Sequence, residues 1–252
     1  MNALAPRVLI VTGAGRGIGA ATARRAARAG WDVVVNARRD AAAAEAVAAD
    51  VRAAGRRALV VIADVATEAG VLALFDAADR EFGALHGLVN NAGVVDVAQR
   101  VEQMSEARLQ RMFTTNVVGP FLCAREAVRR MSTRHGGAGG AIVNVGSAAS
   151  RLGSPNQYVD YAASKAAIDT FTKGLSLEVA AEGIRVNAVR PGIIDTGIHA
   201  SGGQPDRARE LAPSVPMQRA GSADEVAAAI VWLLGDDATY VTGAVVDVSG
   251  GR

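Results

Sequence analysis

The 252-residue chain has one cysteine, Cys123, only three histidines and only three tyrosines. A lone thiol closes no internal disulfide, and the N-terminal stretch MNALAPRVLIVTGAG shows no basic segment leading into a long apolar run and no cleavage-like site. A secretory signal is therefore not expected, and a reducing cytoplasm is. His86, His135 and His199 are scattered and have no cysteine cluster beside them, so the pattern offers no zinc site and no metal is expected. No apolar run approaches the roughly 20 residues that cross a bilayer, which predicts a soluble protein with no membrane partner. Excess charge of one sign is missing too. With 27 Lys plus Arg against 25 Asp plus Glu, the net charge is +2, and a pI near 9.0 does not call for a nucleic-acid partner. The arginine pairs at Arg24, Arg25 and Arg129, Arg130 fall in helix-like stretches and read as solvated faces.

What the chain does have is a repeated alternation. Half its residues are hydrophobic, enough for a sizeable core. Short β-branched runs (RVLIVTG, DVVVNA, ALVVIAD, HGLVNN, GAIVNVGS, IRVNAVRPG and GAVVDVSGG) are separated by alanine-rich segments of helical periodicity, such as residues 40–54, 68–82 and 223–234. Near-continuous apolar strands alternating with helices predict an α/β fold, a doubly wound seven-stranded parallel sheet with helices on both faces. The glycine-rich RHGGAGGA reads as a helix-to-strand connection rather than a linker, so residues 1–252 form one domain. The one long insertion, at about residues 193–219, follows a strand's carboxyl end, where α/β sheets cover their ligands.

Directly after the first strand comes Thr12-Gly13-Ala14-Gly15-Arg16-Gly17-Ile18-Gly19. Glycines let a backbone approach a pyrophosphate closely, and the N–H groups of a starting helix supply positive potential. The spacing is G-x-x-x-G-x-G, because Ile18 occupies the last position of a strict G-x-G-x-x-G beginning at Gly13; a glycine-rich turn without a ligand is the other reading. The second strand ends in Val35-Asn36-Ala37-Arg38-Arg39, with no carboxylate before Asp40 to accept a ribose 2′-OH. Arg38, Arg39 and Arg16 instead match the charge and forked geometry of a 2′-phosphate, which favours NADP over NAD, or else they solvate a loop.

The stretch YVDYAASK poses a choice between two tyrosines. Tyr161 and Lys165 are i and i+4 on one helical face, whereas Tyr158 is seven positions from the lysine. A phenol titrates near pH 10, and an ammonium held close brings it toward the working range. Tyr161 is therefore the candidate acid/base, with an ordinary helix-surface contact as the alternative, and Tyr158 is read as lining a pocket or packing.

These motifs together resemble the classical short-chain dehydrogenases/reductases across almost the whole length. The resemblance rests on residues 12–19, Asp64-Val65, Asn90-Asn91-Ala92-Gly93, Asn116, Ser147, the Tyr161-x-x-x-Lys165 motif and Pro191-Gly192 followed by Thr196. Residues 150–170 and 241–252 further resemble a bacterial subgroup labelled glucose 1-dehydrogenase-like or 3-oxoacyl-carrier-protein-reductase-like. The resemblance implies a Rossmann fold and an NAD(P)-dependent oxidoreductase that interconverts a small carbonyl compound and its alcohol, NADP(H) preferred and NAD(H) the alternative. It implies a cofactor set of Gly13, Arg16, Gly17, Ile18, Gly19, Arg38, Arg39, Asp64, Val65, Asn90, Ala92, Gly93, Tyr161, Lys165, Pro191, Gly192, Ile194 and Thr196. By the same resemblance, Tyr161 moves the proton and Lys165 holds the nicotinamide ribose while lowering the pKa of Tyr161. Ser147 hydrogen-bonds the substrate oxygen, and Asn116 interrupts its helix and holds a water that links Lys165 to solvent.

Two departures stand out. Ser147 and Tyr161 are 14 positions apart, one more than in many family members, and Gly146 stands where the family commonly has serine. Ser147 may be compared with Ser150 as the substrate-facing hydroxyl, and its place at a strand end favours it, with a turn-satisfying role as the other reading. His199 and Met217 are secondary candidates for substrate contact, and Ser201, Gly202 and Gly203 read as a mobile lid. A homotetramer, or a homodimer, is expected from the Ala-, Val- and Leu-rich helices ending near Met131 and carrying Tyr161; packing on the sheet is the alternative for those faces. Other functional readings are a sugar or polyol dehydrogenase and, in a different class, a non-catalytic dinucleotide-binding redox sensor.

Overall fold

The computed structural model describes residues 7–252, apart from the side chains of His199 and Ser201. Seven strands form one parallel sheet: β1 (Arg7–Val11), β2 (Trp31–Ala37), β3 (Ala58–Ile62), β4 (Gly87–Asn90), β5 (Gly140–Val145), β6 (Ile184–Pro191) and β7 (Val245–Val248). Their spatial order is 3-2-1-4-5-6-7, so the winding direction reverses between β1 and β4. This is the Rossmann arrangement, and the reversal opens a crevice at the strands' carboxyl ends.

The helices are α1 (Gly17–Arg28), α2 (Ala41–Ala53), α3 (Glu68–Phe82), α4 (Glu106–Phe113), α5 (Gly119–Met131), α6 (Ala149–Leu152), α7 (Val159–Val179), α8 (Ile198–Ser201), α9 (Arg207–Leu211) and α10 (Ala223–Leu234). Strand alternation divides the core in two. Leu9 and Val11 of β1 face α1, α2 and α10, where Ala23, Val47 and Ile230 are fully buried. Val8 and Ile10 face the other way, onto Leu74 and Phe75 of α3 and Ala124 and Met131 of α5. Burying each large side chain contributes about 1.5–3 kcal/mol, so two filled layers hold the sheet rigid under the crevice.

Local chemistry sets the ends of these elements. Thr67 caps α3 by accepting from the Gly70 N–H at 3.1 Å, and Gly83 ends the helix with φ of 73°, a conformation that favours glycine. Between α4 and α5 the chain makes a π-helical turn at Thr114–Val118, the interruption expected at Asn116. The insertion carries α8 and α9, and an isolated bridge from Ile194 to Gly221 closes its base. Among the described residues, no helix is long and apolar enough to cross a membrane, and no cluster of His, Cys, Asp or Glu could hold a metal.

Candidate active site

Two cavities share a wall along the crevice. The larger, about 450 Å³, lies beyond β1 and β2 and is lined by Gly13, Arg16, Gly17, Ile18, Arg38 and Arg39, then Asp64, Val65, Ala92 and Gly93. The smaller, about 170 Å³, lies beyond β5 and β6 and is lined by Ser147, Tyr161, Lys165, Pro191, Gly192 and Ile194. Ile18, Asn91, Gly93, Thr196 and Ile198 border both.

The larger cavity has features that suit a dinucleotide. Gly13 (φ 62°) lies so close to β4's exit that an added Cβ would stand 3.0 Å from Ala92 Cα. Arg16, at the N-cap of α1, makes no side-chain cap, and the helix has no acidic residue in its first turn, which leaves its positive end open toward an anion. Arg38 and Arg39 are exposed beside the cavity, while the carboxylate of Asp40 accepts from the Ala43 N–H at 2.9 Å and so caps α2. A group presented here meets two guanidiniums, as a 2′-phosphate requires.

Three residues of the expected set stand off these walls. Gly19 is buried, where an added Cβ would come within 2.6 Å of Gly13 O, so it permits close packing of α1 on the loop. Asn90 is a correction as well: its side chain donates to Asn144 Oδ1 (2.9 Å) and Pro120 O (3.3 Å) inside the core, tying β4 to β5. The next residue, Asn91, lines both cavities and donates to Thr12 O (2.8 Å) and Gly13 O (3.1 Å), clamping the glycine loop. Asn116 is fully buried; Nδ2 donates to Val94 O (2.9 Å) and Ser164 Oγ (3.2 Å), and Oδ1 accepts from the Val94 N–H (2.8 Å). Its side chain anchors the segment after β4. An added Cβ on Gly93 would lie 3.4 Å from Asn116 Oδ1 and 3.5 Å from Lys165 Nζ, so this residue sits between the two groups.

In the smaller cavity, Tyr161 and Lys165 lie on one face of α7, with Nζ 5.7 Å from the phenol ring centroid. Lys165 donates to Val145 O at 2.8 Å, and burial lowers its pKa to about 8, with the Asp169 carboxylate one turn on pulling the other way. Burial pushes the Tyr161 phenol above its ordinary value, opposed by a hydrogen bond with the Ser147 side chain. Burial and the Ser147 hydrogen bond are the two influences on the phenol, and burial is the larger. The ammonium is tied to a main-chain carbonyl, and desolvation outweighs the rest, so the phenol is held as a protonated donor.

Ser147 Oγ accepts from the Ala149 N–H at 3.1 Å, so it satisfies a turn and also faces the cavity. Ser150 donates to Ser147 O (2.9 Å) and does not line the wall. Tyr158 is buried, donates to Gln204 Oε1 (3.1 Å) and lines the cavity, which joins both of its expected roles. Met217 is 59% exposed and off the wall, because its backbone pairs with Gly250 O (3.1 Å) and turns the side chain outward. The side chain of His199 lies outside the described residues; Gly202 lines the cavity. Leu152 and Arg207 line this wall from residues 148–159 and 197–219, the segments the sequence points to for pocket specificity without singling out either side chain; Arg252 lies in no recognisable motif.

A doubly wound sheet with an anion-suited loop at its switch point, and a tyrosine, lysine and serine beside it, is the architecture of a nucleotide-dependent oxidoreductase. A family model described as enoyl-(acyl carrier protein) reductase matches residues 13–252, and the chain belongs to the short-chain dehydrogenase/reductase family. It is 55% identical to the uncharacterized oxidoreductase YgfF of Escherichia coli over 97% of this chain and 99% of that one. Among solved structures it is similar to a Burkholderia cenocepacia short-chain dehydrogenase in complex with NADP (33% identity, TM-score 0.88, 98% and 97% of the two chains). It is also similar to the Brucella melitensis 3-ketoacyl-(acyl-carrier-protein) reductase complexed with NADH (34% identity, TM-score 0.90, 98% of both chains).

Proposed function

We propose that this oxidoreductase reduces a small ketone or aldehyde to its alcohol with NADPH, and runs in reverse when the alcohol is in excess. The observation that carries the reading is that Ser147, Tyr161 and Lys165 line one small cavity, which opens onto a larger one flanked by Arg38 and Arg39. A nicotinamide bound across the two cavities would supply the hydride for the carbonyl carbon. Tyr161 donates its phenolic proton to the carbonyl oxygen, and its raised pKa keeps that proton in place at neutral pH. Ser147 offers a neutral hydrogen bond where negative charge develops on that oxygen. Lys165, protonated below about pH 8, supplies positive charge beside the phenol and would hold the ribose hydroxyls of a bound cofactor. Asn116 keeps the segment around Val94 and Ser164 of α7 in register.

NADP preference follows from Arg38 and Arg39, with Arg16 on the glycine loop. Initial rates with NADPH and NADH on a panel of ketones, diketones and aldehydes test it. NADPH is expected to give the higher kcat/KM, and Arg38→Ala with Arg39→Ala to remove most of that advantage; equal rates in the parent protein would refute the assignment. Absence of turnover with every carbonyl compound and alcohol would refute the enzyme reading. The protein acts as a homotetramer in a reducing cytoplasm, a setting that suits its single thiol, which is buried and pushed up to about 12.

A further inference from the structure

We propose that the carbonyl substrate carries a terminal anionic oxygen group, a carboxylate or a phosphate, and that Arg207 of the insertion is the residue that selects it. This rests on the small cavity being the substrate site of an oxidoreductase, as proposed above.

Arg207 lines the cavity from α9 and is half-buried. Its guanidinium is held on three sides. Nη1 donates to Gln204 Oε1 (2.6 Å), Nη2 donates to Gln157 Oε1 (2.8 Å), and Cζ sits 5.3 Å from the centroid of the Tyr158 ring. The Tyr158 hydroxyl donates to the same Gln204 oxygen, so two segments far apart in the chain fix one fork. All of these partners are neutral. Elsewhere arginine is commonly met by a carboxylate, as Arg24 by Asp50 (2.7 Å), Arg130 by Asp79 (2.8 Å) and Arg219 by Glu225 (2.6 Å). Among the described residues no Asp or Glu side chain lies within ion-pair distance of Arg207, and none lines the cavity. The other charged side chains on the wall are Lys165 and Arg252, whose terminal carboxylate is engaged by Arg151 and Ser249, and Arg252 Nη1 is buried with no partner among the described residues.

Physical chemistry makes this arrangement informative. A guanidinium has five N–H donors, and two of those on Arg207 are committed. The remaining donors are preorganised, so little rotamer freedom is lost on binding, and a planar fork suits two oxygens of one anion. Partial burial raises the cost of leaving this cation without a counterion. A ligand that brings the counterion relieves that cost, whereas its neutral analogue does not.

The test separates binding from turnover. In Tyr161→Phe saturated with NADPH, quenching of the bound nicotinamide fluorescence reports binding of levulinate against methyl levulinate, and of dihydroxyacetone phosphate against dihydroxyacetone. We expect the anionic member of at least one pair to bind about tenfold or more tightly, the size of a charge-assisted hydrogen bond. Adding Arg207→Gln should remove that ratio, and Arg207→Lys should restore part of it. The pair that responds identifies the anion as carboxylate or phosphate. Equal binding within both pairs, or a ratio that survives Arg207→Gln, overturns the proposal. NADPH affinity serves as the folding control, and its selective loss in Arg207→Gln would assign the residue to the cofactor and also overturn it. Anions that bind through Arg207 but are never reduced by the parent protein would instead refute the oxidoreductase reading and leave the anion site standing.

Discussion

Two titrating groups on α7, Tyr161 and Lys165, are displaced in opposite directions. Tyr161 is pushed up by burial, which keeps it protonated, and Lys165 is pushed down to about 8, which on the proposed mechanism sets the upper edge of the working range. The rate of carbonyl reduction is therefore expected to fall above about pH 8. Asp169→Asn should move that edge to lower pH, because its carboxylate raises the Lys165 pKa; a pH profile of kcat/KM for both proteins checks it. Folding responds with the opposite sign. The folded chain releases the Lys165 proton more readily than the unfolded chain, so this group's contribution to stability grows as pH rises from about 8 toward 10.5. Tyr161→Phe should leave the NADPH dissociation constant within about twofold and lower kcat by at least about 100-fold, the range of general acid catalysis. Tyr158→Phe should change kcat far less, since that hydroxyl faces Gln204.

Elements are tied to the site by a few polar clamps, and the strongest joins α4 to the first turn of α7. Arg108 Nε and Nη2 donate to the two Asp160 oxygens at 2.8 and 3.2 Å, while Nη1 donates to Val97 O (2.7 Å) and Gln99 Oε1 (2.9 Å). Both side chains are almost fully buried. Arg108→Leu leaves the carboxylate of Asp160 buried and unpaired, which costs about 3–5 kcal/mol. For a domain of this size that lowers Tm by about 10 °C in calorimetry, and replacing Asp160 by Leu as well should recover part of the loss. The strands and main helices were legible before folding because apolar runs and alanine-rich periods repeat with clear breaks. Helical spacing put Tyr161 and Lys165 on one face and a strand end placed Ser147 at the crevice, but only the family resemblance singled them out as site residues. Asn90 and Asn91 were not separable in this way: which side chain faces the crevice depends on where β4 ends. Arg207 was invisible for a related reason, since its orientation comes from Gln157 and Gln204, and only tertiary packing brings these together with Tyr158.

For the whole molecule, the face formed by α5 and α7 invites assembly. Phe121 is 46% exposed and stacks on Phe171 at 3.7 Å, Leu177 is 71% exposed, and a groove of about 510 Å³ runs between the helices. Light scattering is expected to give a mass near four times the 25.8 kDa chain, and Phe121→Asp to lower it; a monomer at high concentration would contradict this reading. The same helix pair has the active tyrosine on its other side. The wide turn at Thr114–Val118 governs how those two sides are phased. Each residue rotates a helix by about 100°, so deleting one residue there could regularise the backbone, yet it would swing every later side chain of α5 around the axis. Phe121 would leave the outer face and Cys123 the core in one motion. A shortened turn would thus look like a local repair and act as a change of gearing throughout the molecule.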